Sequence, residues 1–398
     1  SGQPQREKRR LRLDARNSDM FNPAATESRA AQGPTLRQML TLWLPLAASF
    51  LMMVLEPSII NMALGRTKQP ELALAAYGVA FSLVLLIEAP IFMLIDASVA
   101  KSVDLAAFVL MRRLTLVMGL GVTAVGLAVS LTPLFGLIVR NLMNIPPDVA
   151  LVARPTLQVL AFWSLPIAWR RTHQGLLIRE GRTSVITLVT GIRLAILAAA
   201  LFLGLRVLPH SGALVAGIAM VLSVTVESVL ITVATRPVLT SDAFRSRSLA
   251  GSTLTMRELW RFYRPLAMTT LLRQSARPML SAGIASALMA RASLAAWPVT
   301  WGLTILIAGP AWSLQQLTTA LASDRAAFRR VRAFALALSA LLTLILILIA
   351  FTPLYGAVMG GLYNLSPALQ DLARPALQLL CLYPLLLAGQ ALLRGVFI

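Results

Sequence analysis

The stretch Thr132-Pro133-Leu134-Phe135-Gly136 returns as Thr352-Pro353-Leu354-Tyr355-Gly356, 220 residues later. Ala153-Arg154-Pro155-Thr156-Leu157-Gln158 returns at the same spacing as Ala373-Arg374-Pro375-Ala376-Leu377-Gln378. Working outward, Asp104, Ala106, Ala107 and Phe108 meet Asp324, Ala326, Ala327 and Phe328. Leu74-Ala75-Ala76 meets Leu294-Ala295-Ala296, Pro90 meets Pro310, and Pro45-Leu46-Ala47 meets Pro265-Leu266-Ala267. One match of this kind arises by chance. Several on one diagonal mark an internal duplication.

The chain of 398 residues is 57% hydrophobic and only 13% charged, with a mean hydropathy of +0.75. Soluble domains carry about twice that charge fraction. Several apolar runs reach the roughly 20 residues needed to cross a bilayer, and the run 334–350 has almost no polar residue. The composition predicts an all-α polytopic protein integral to the cell membrane, with the lipid bilayer as a partner. The net charge of +20 does not imply nucleic acid, because Lys and Arg collect between the apolar runs and set topology there. Cys381 is the single cysteine, so no intramolecular disulfide is expected and the thiol is a small packing group.

Ten spans are expected, at about 37–64, 72–98, 106–132, 149–178, 183–207, 212–236, 256–287, 292–321, 327–352 and 368–396. Arginines crowd the even-numbered connections, as in Arg112-Arg113, Arg170-Arg171 and Arg329-Arg330, while the opposite connections hold only Arg66, Lys68, Arg140, Arg206 and Arg291. That asymmetry puts the N-terminus in the cytoplasm. Residues 1–35 read as a disordered basic cytoplasmic tail, 36–236 as an N-lobe of spans 1–6, 237–255 as a cytoplasmic linker, and 256–398 as a C-lobe of spans 7–10. Six spans per copy make the repeats parallel, as in one class of secondary transporter whose substrate site lies between the halves. The second copy is truncated to about four of its six spans, with residues 179–235 unmatched, and the first residue is Ser rather than Met. Neither observation decides whether the chain is a fragment lacking two C-terminal helices.

Four stretches carry a family resemblance. Leu74-Ala75-Ala76-Tyr77-Gly78-Val79-Ala80-Phe81-Ser82-Leu83 lies in the second span, and Trp169-Arg170-Arg171-Thr172-His173-Gln174-Gly175-Leu176-Leu177 in the fourth. Arg273-Gln274-Ser275-Ala276-Arg277-Pro278 lies in the seventh, entered through Met256-Arg257, Leu259 and Pro265-Leu266-Ala267. These resemble the superfamily of multidrug-and-toxin extruders (MATE), polysaccharide flippases and lipid II flippases. Within it they look closest to the progressive ankylosis (Ank) family, from which Arg170-Arg171 and the short second half depart. The resemblance implies a MATE-like two-lobe fold and export of pyrophosphate, ATP or other anionic metabolites. The major facilitator group also has six-plus-six repeats, but residues 99–106 lack its Gly-Asp-Arg-rich loop.

Charges deep in a span are costly and point to function. Glu56, followed by Pro57, stands near the repeat position of Arg277-Pro278, with a one-residue shift. The two are candidates for a gating or substrate pair across a central cleft; a structural salt bridge is the other reading. Arg273 and Arg277, four residues apart, share a helix face on which guanidinium groups grip a phosphate or carboxylate. Glu88 is a candidate for a coupling H+ or Na+, or else a partner for Arg193. Asp96 and Glu227 are weaker candidates. His173, beside Arg170 and Arg171, reads as a loop or gate contact rather than a metal ligand. Symmetry assigns Arg154 and Arg374 to architecture.

No P-loop, Cys/His metal spacing or nucleophile elbow occurs, so neither an enzyme nor a cofactor or metal is expected. The expected function is secondary active export of a small anionic metabolite by alternating access. The alternatives are a proton- or cation-coupled multidrug antiporter, a lipid-linked sugar flippase, and a membrane scaffold that transports nothing.

Overall fold

The computed structural model describes residues 34–249, 254–322 and 324–397. The basic tail expected at 1–35 lies outside these residues except for its last two. The described chain is all-helical, as backbone in hydrocarbon must be when no sheet closes on itself. The main helices are α1 Leu36–Leu64, α2 Pro70–Ile87, α3 Leu94–Lys101, α4 Leu105–Leu131, α5 Pro147–Ala161, α6 Ser164–Arg179, α7 Thr183–Val207 and α8 Gly212–Leu239. After them come α9 Asp242–Leu249, α10 Met256–Ala285, α11 Ala290–Ala308, α12 Leu314–Leu321, α13 Arg325–Phe351, α14 Pro367–Leu380 and α15 Tyr383–Phe397. The expected linker 237–255 thus contains a helix, α9, held by Phe244, which is buried with Phe108, Val189 and Val238.

Among the described residues eight helical stretches, α11–α12 and α14–α15 each counted as one, are long and apolar enough to span a membrane, and the bent pair α5–α6 makes a ninth. The difference from the ten spans expected is α10. It forms as one 30-residue helix, but Arg257, Glu258, Arg261, Arg264, Arg273 and Arg277 lower its apolarity. Four other expected spans are broken rather than continuous. Each break sits at or just before a proline, at Pro90, Pro166, Pro310 and Pro384. A proline ring displaces the carbonyl four residues back and supplies no donor. Pro166 in this way accounts for the 41° bend between α5 and α6.

The duplication extends to single atoms. Helices α4 and α13 begin and end at equivalent residues, as do α3 and α12. Both are N-capped: Asp104 accepts from the Ala107 amide at 2.8 Å, and Asp324 from the Ala327 amide at 2.8 Å. Each is followed by a short π-helical turn, Leu137–Leu142 or Ala357–Leu362. Each turn leads to an asparagine with positive φ, Asn144 at 52° and Asn364 at 55°, a conformation that asparagine tolerates better than most residues. Arg154 Nε donates to the Ser130 carbonyl at 2.8 Å and Arg374 Nε to the Ala350 carbonyl at 3.1 Å. These arginines therefore satisfy the last carbonyls of α4 and α13, as cations at helix C-termini do. Trp43 Nε1 donates to the Pro310 carbonyl at 3.2 Å, and the equivalent Tyr263 hydroxyl donates to the equivalent Pro90 carbonyl. In both cases an aromatic of one copy supplies a donor at the proline break of the other.

Contacts divide the described residues into two compact units, one comprising 34–51, 307–347 and 381–397, the other 52–306 with 348–380. The smaller has a core of Met39, Leu314, Leu317, Val331, Ala388 and Leu392. In the larger, α2 packs on α5, α4 and α3 on α6, and α8 on α5, α6 and α7. Large apolar side chains such as Val117, Leu120, Phe202 and Leu203 are exposed, as lipid-facing residues are and as water-facing ones rarely are.

Two equivalent glycines hold the closest helix approaches. A Cβ on Gly175 would stand 2.5 Å from Ser98 Cβ and 2.6 Å from the Ile95 carbonyl oxygen. A Cβ on Gly395 would stand 2.5 Å from Thr318 Cβ. Gly175→Ala and Gly395→Ala are each expected to destabilise by about 1–3 kcal/mol through overpacking. Thermal unfolding of the detergent-solubilised protein checks this, with Gly136→Ala, which meets no neighbour within 4 Å, as the control.

Candidate functional site

The larger unit contains a cavity of about 440 Å³ between α1, α2, α10 and α11, a volume typical of small-molecule sites. It is lined by equivalent positions of the two copies. Pro57 and Arg277, Asn61 and Ser281, Tyr77 and Trp297, Gly78 and Pro298, Phe81 and Trp301, and Leu85 and Ile305 all face it. The first two helices of each copy therefore form one site together. Asn61 ties α1 to α11 by donating from Nδ2 to the Pro298 carbonyl at 2.7 Å, and Ser58 Oγ donates to the Gly302 carbonyl at 3.4 Å. Where α1 ends and α2 starts, Arg291 reaches Asp148 at 2.8 Å and Glu71 at 3.2 Å, and Asn364 Nδ2 donates to the Gly65 carbonyl at 2.9 Å.

Two aromatic pairs form part of the wall. Tyr77 and Phe81 stack at 5.5 Å with ring planes 12° apart. Trp297 and Trp301 stack at 5.7 Å with planes 20° apart. The spacing of four residues places each pair on one helix face, and the duplication places the pairs in the same register. The Tyr77 hydroxyl is engaged by Met220 Sδ at 3.0 Å, so its ring rather than its oxygen is the part available to a ligand. The polar lining is Arg277, with Gln274, Asn61, Ser82 and Ser281. Among the described residues no carboxylate lines this cavity.

The acids lie elsewhere. Glu56 Oε2 is 2.7 Å from Arg193 Nη1, and Arg193 Nε is 3.2 Å from Glu227 Oε2. Arg170 Nη1 also pairs with Glu227, whose other oxygen accepts from Thr190 Oγ1 at 3.2 Å. Two carboxylates and two guanidinium groups thus balance within the first copy. Glu56 pairs with Arg193 and not with the Arg277 expected: helix α7 brings a buried guanidinium to its face of α1. Of the two arginines expected to act together, both are exposed, and Arg277 lines the cavity while Arg273, a turn away, does not.

Glu88 is fully buried and neither of its oxygens has a hydrogen-bond partner among the described residues. Its alternative as a partner for Arg193 fails because Glu56 and Glu227 occupy that guanidinium. His173 is not in a loop but within α6. It is 1% exposed, with Nδ1 at 2.9 Å from the Trp169 carbonyl and its ring edge-on to Phe108 at 5.4 Å. The continuous helix α6 carries it into the interior, where it packs. The sequence reading passed over the four aromatics, although placing Tyr77 and Phe81 on Trp297 and Trp301 at the repeat spacing was enough to find them.

No protein-family model and no curated protein matches the chain. Solved structures do. One is described as the inward-facing conformation of a multidrug resistance MATE family transporter of the MOP superfamily; it matches with a TM-score of 0.69 at 17% identity, covering 87% of this chain and 81% of that one. An outward-facing conformation of such a transporter matches with 0.58 at 16%, covering 90% and 83%. A MOP superfamily transporter from Pyrococcus furiosus, for which reverse polarity of the binding pocket is said to suggest a different function, matches with 0.60 at 16%, covering 90% and 83%. At these identities the likeness is one of fold. The chain has the fold of MATE transporters, and with its apolar helices it is an integral membrane protein.

Proposed function

We propose that the protein is a secondary active transporter that exports a small anionic metabolite by alternating access between its two repeats, with the cavity of α1, α2, α10 and α11 as the cargo site and the N-terminus in the cytoplasm. The observation that carries this reading is the polarity of the cavity wall: Arg277 is on it, and no carboxylate among the described residues is. A guanidinium binds carboxylate or phosphate through paired N–H donors and repels an organic cation. The resemblance to Ank exporters supports an anion such as pyrophosphate or an organic acid. The fold supports alternating access, since solved structures of that fold are described in inward- and outward-facing conformations.

A proton or small cation at Glu88 completes the reading. A buried carboxyl group with two unpartnered oxygens is costly, and an H+ or Na+ ion seated there removes that cost. Glu88→Gln is expected to lower gradient-driven flux about tenfold while leaving cargo-for-cargo exchange intact, measured in proteoliposomes with and without pH and Na+ gradients. Unchanged dependence on both gradients would remove Glu88 from the coupling role.

The aromatic wall favours one rival, a multidrug antiporter, because ring faces attract organic cations. Uptake of pyrophosphate, citrate and ethidium, compared side by side in proteoliposomes, separates the two. Anion flux without ethidium flux is expected; ethidium flux alone would establish the rival.

A further inference from the structure

A second cavity lies apart from the cargo site. It encloses about 520 Å³ beside the start of α10 and is lined by Pro90, Trp260, Arg261, Arg264, Met268 and Leu271, none of which lines the first. We propose that it binds an anionic phospholipid, with the headgroup phosphate on Arg261 and Arg264 and the upper part of an acyl chain along Met268 and Leu271. Spacings of three and four residues put 261, 264, 268 and 271 on one helix face. A rise of about 1.5 Å per residue sets Met268 about 10 Å beyond Arg261, and Leu271 as far beyond Arg264. Charge therefore precedes apolar surface along the groove, as phosphate precedes chain in a lipid. Trp260 is 42% exposed, and an indole suits the boundary between headgroups and hydrocarbon.

Neither guanidinium has an ion pair or hydrogen bond among the described residues, whereas Arg170, Arg193, Arg247 and Arg291 all have carboxylate partners. Among the described residues no carboxylate lines the groove either. A zwitterionic headgroup would leave its ammonium beside two cations, while an anionic one meets N–H donors alone. Basic pockets of this kind recognise anionic lipid headgroups in other membrane proteins. At the repeat spacing Arg257 meets Arg37, but Arg261 and Arg264 meet Thr41 and Leu44. The second copy thus adds two arginines where the groove lies. Topology, which exposed arginines also set, requires neither a cavity nor an apolar floor.

The test titrates dioleoylphosphatidylglycerol and dioleoylphosphatidylcholine onto the delipidated full chain in detergent, with lipid adducts read by native mass spectrometry. Phosphatidylglycerol is expected to bind at least about tenfold tighter than phosphatidylcholine. Inorganic phosphate in about hundredfold excess should displace less than half of it, because phosphate lacks the chain contacts. Arg261→Gln with Arg264→Gln should reduce the preference to about twofold or less. Arg329→Gln with Arg330→Gln, an exposed pair on α13, should leave it intact. Arg261→Lys with Arg264→Lys keeps the charges but not the forked donors, and about threefold is expected. Thermal unfolding identifies any variant that fails to fold; the lysine pair and the wild-type ranking then decide. Equal binding of the two lipids by wild type would overturn the proposal. An equal loss in both glutamine pairs would overturn it in favour of diffuse surface charge. Full displacement by phosphate would overturn the lipid and leave a site for the free anion.

Discussion

Arg193→Ala is expected to destabilise the protein by about 3–5 kcal/mol, the range found when one partner of a buried ion pair is removed. Arg193 is 3% exposed and bridges Glu56 at 2.7 Å and Glu227 at 3.2 Å. Its removal leaves Glu56 with no cation and Glu227 with Arg170 alone. Glu56 already has one buried oxygen without a hydrogen bond among the described residues. Two companion variants separate charge from packing. Arg193→Lys restores a positive charge but not a fork able to serve two carboxylates, so an intermediate loss is expected. Glu56→Gln combined with Arg193→Met removes both members of a pair and is expected to cost less than Arg193→Ala alone, because no charge is left stranded. Thermal unfolding in detergent or nanodiscs reads all three. A midpoint for Arg193→Ala equal to that of wild type would mean that the network does not hold α1, α7 and α8 together.

Much of this fold was legible because duplication writes the same physics twice. Asp104 and Asp324 cap equivalent helices, Arg154 and Arg374 satisfy equivalent carbonyls, and Gly175 and Gly395 sit at equivalent close approaches. The caps need no distant partner to be guessed. The proline breaks were less visible. A hydropathy window reads 72–98 as one run, whereas the chain stops α2 at Ile87 and resumes at Leu94, because Pro90 changes backbone hydrogen bonding without changing apolarity.

The site was legible only in part, and for a geometric reason. Glu56 and Arg277 stand near one another on the repeat, which suggests partnership, but equivalence fixes depth along a helix and not the direction a side chain takes. The partner of Glu56 comes from α7, which no residue of 256–398 matches at the repeat spacing, so symmetry had no means of pointing to it. His173 failed similarly: its arginine neighbours suggested a surface, while the helix face it occupies is buried. The aromatic pairs went unread because an aromatic at helical spacing in an apolar span ordinarily means packing. Their match across the copies was the signal that distinguished them.

The second large effect concerns Arg277 and Arg273. Spacing on the sequence makes them a pair; both are exposed, but the structure puts Arg277 on the cavity wall and Arg273 outside it. If the cavity is the cargo site, loss of Arg277 removes the guanidinium that holds the anion, an interaction of about 1.5–3 kcal/mol for a hydrogen bond to a charged group, or tenfold to a hundredfold in affinity. Loss of Arg273 removes a charge that does not face the cargo.

The most direct measurement is therefore anion flux into proteoliposomes of known orientation, at limiting concentration, for wild type, Arg277→Ala and Arg273→Ala. The variants are matched for incorporation and unfolding temperature. The predicted result is a loss of at least about tenfold for Arg277→Ala and flux within about twofold of wild type for Arg273→Ala, as expected of a side chain outside the site. Wild-type flux in Arg277→Ala, or a loss confined to Arg273→Ala, would contradict the assignment of this cavity as the cargo site.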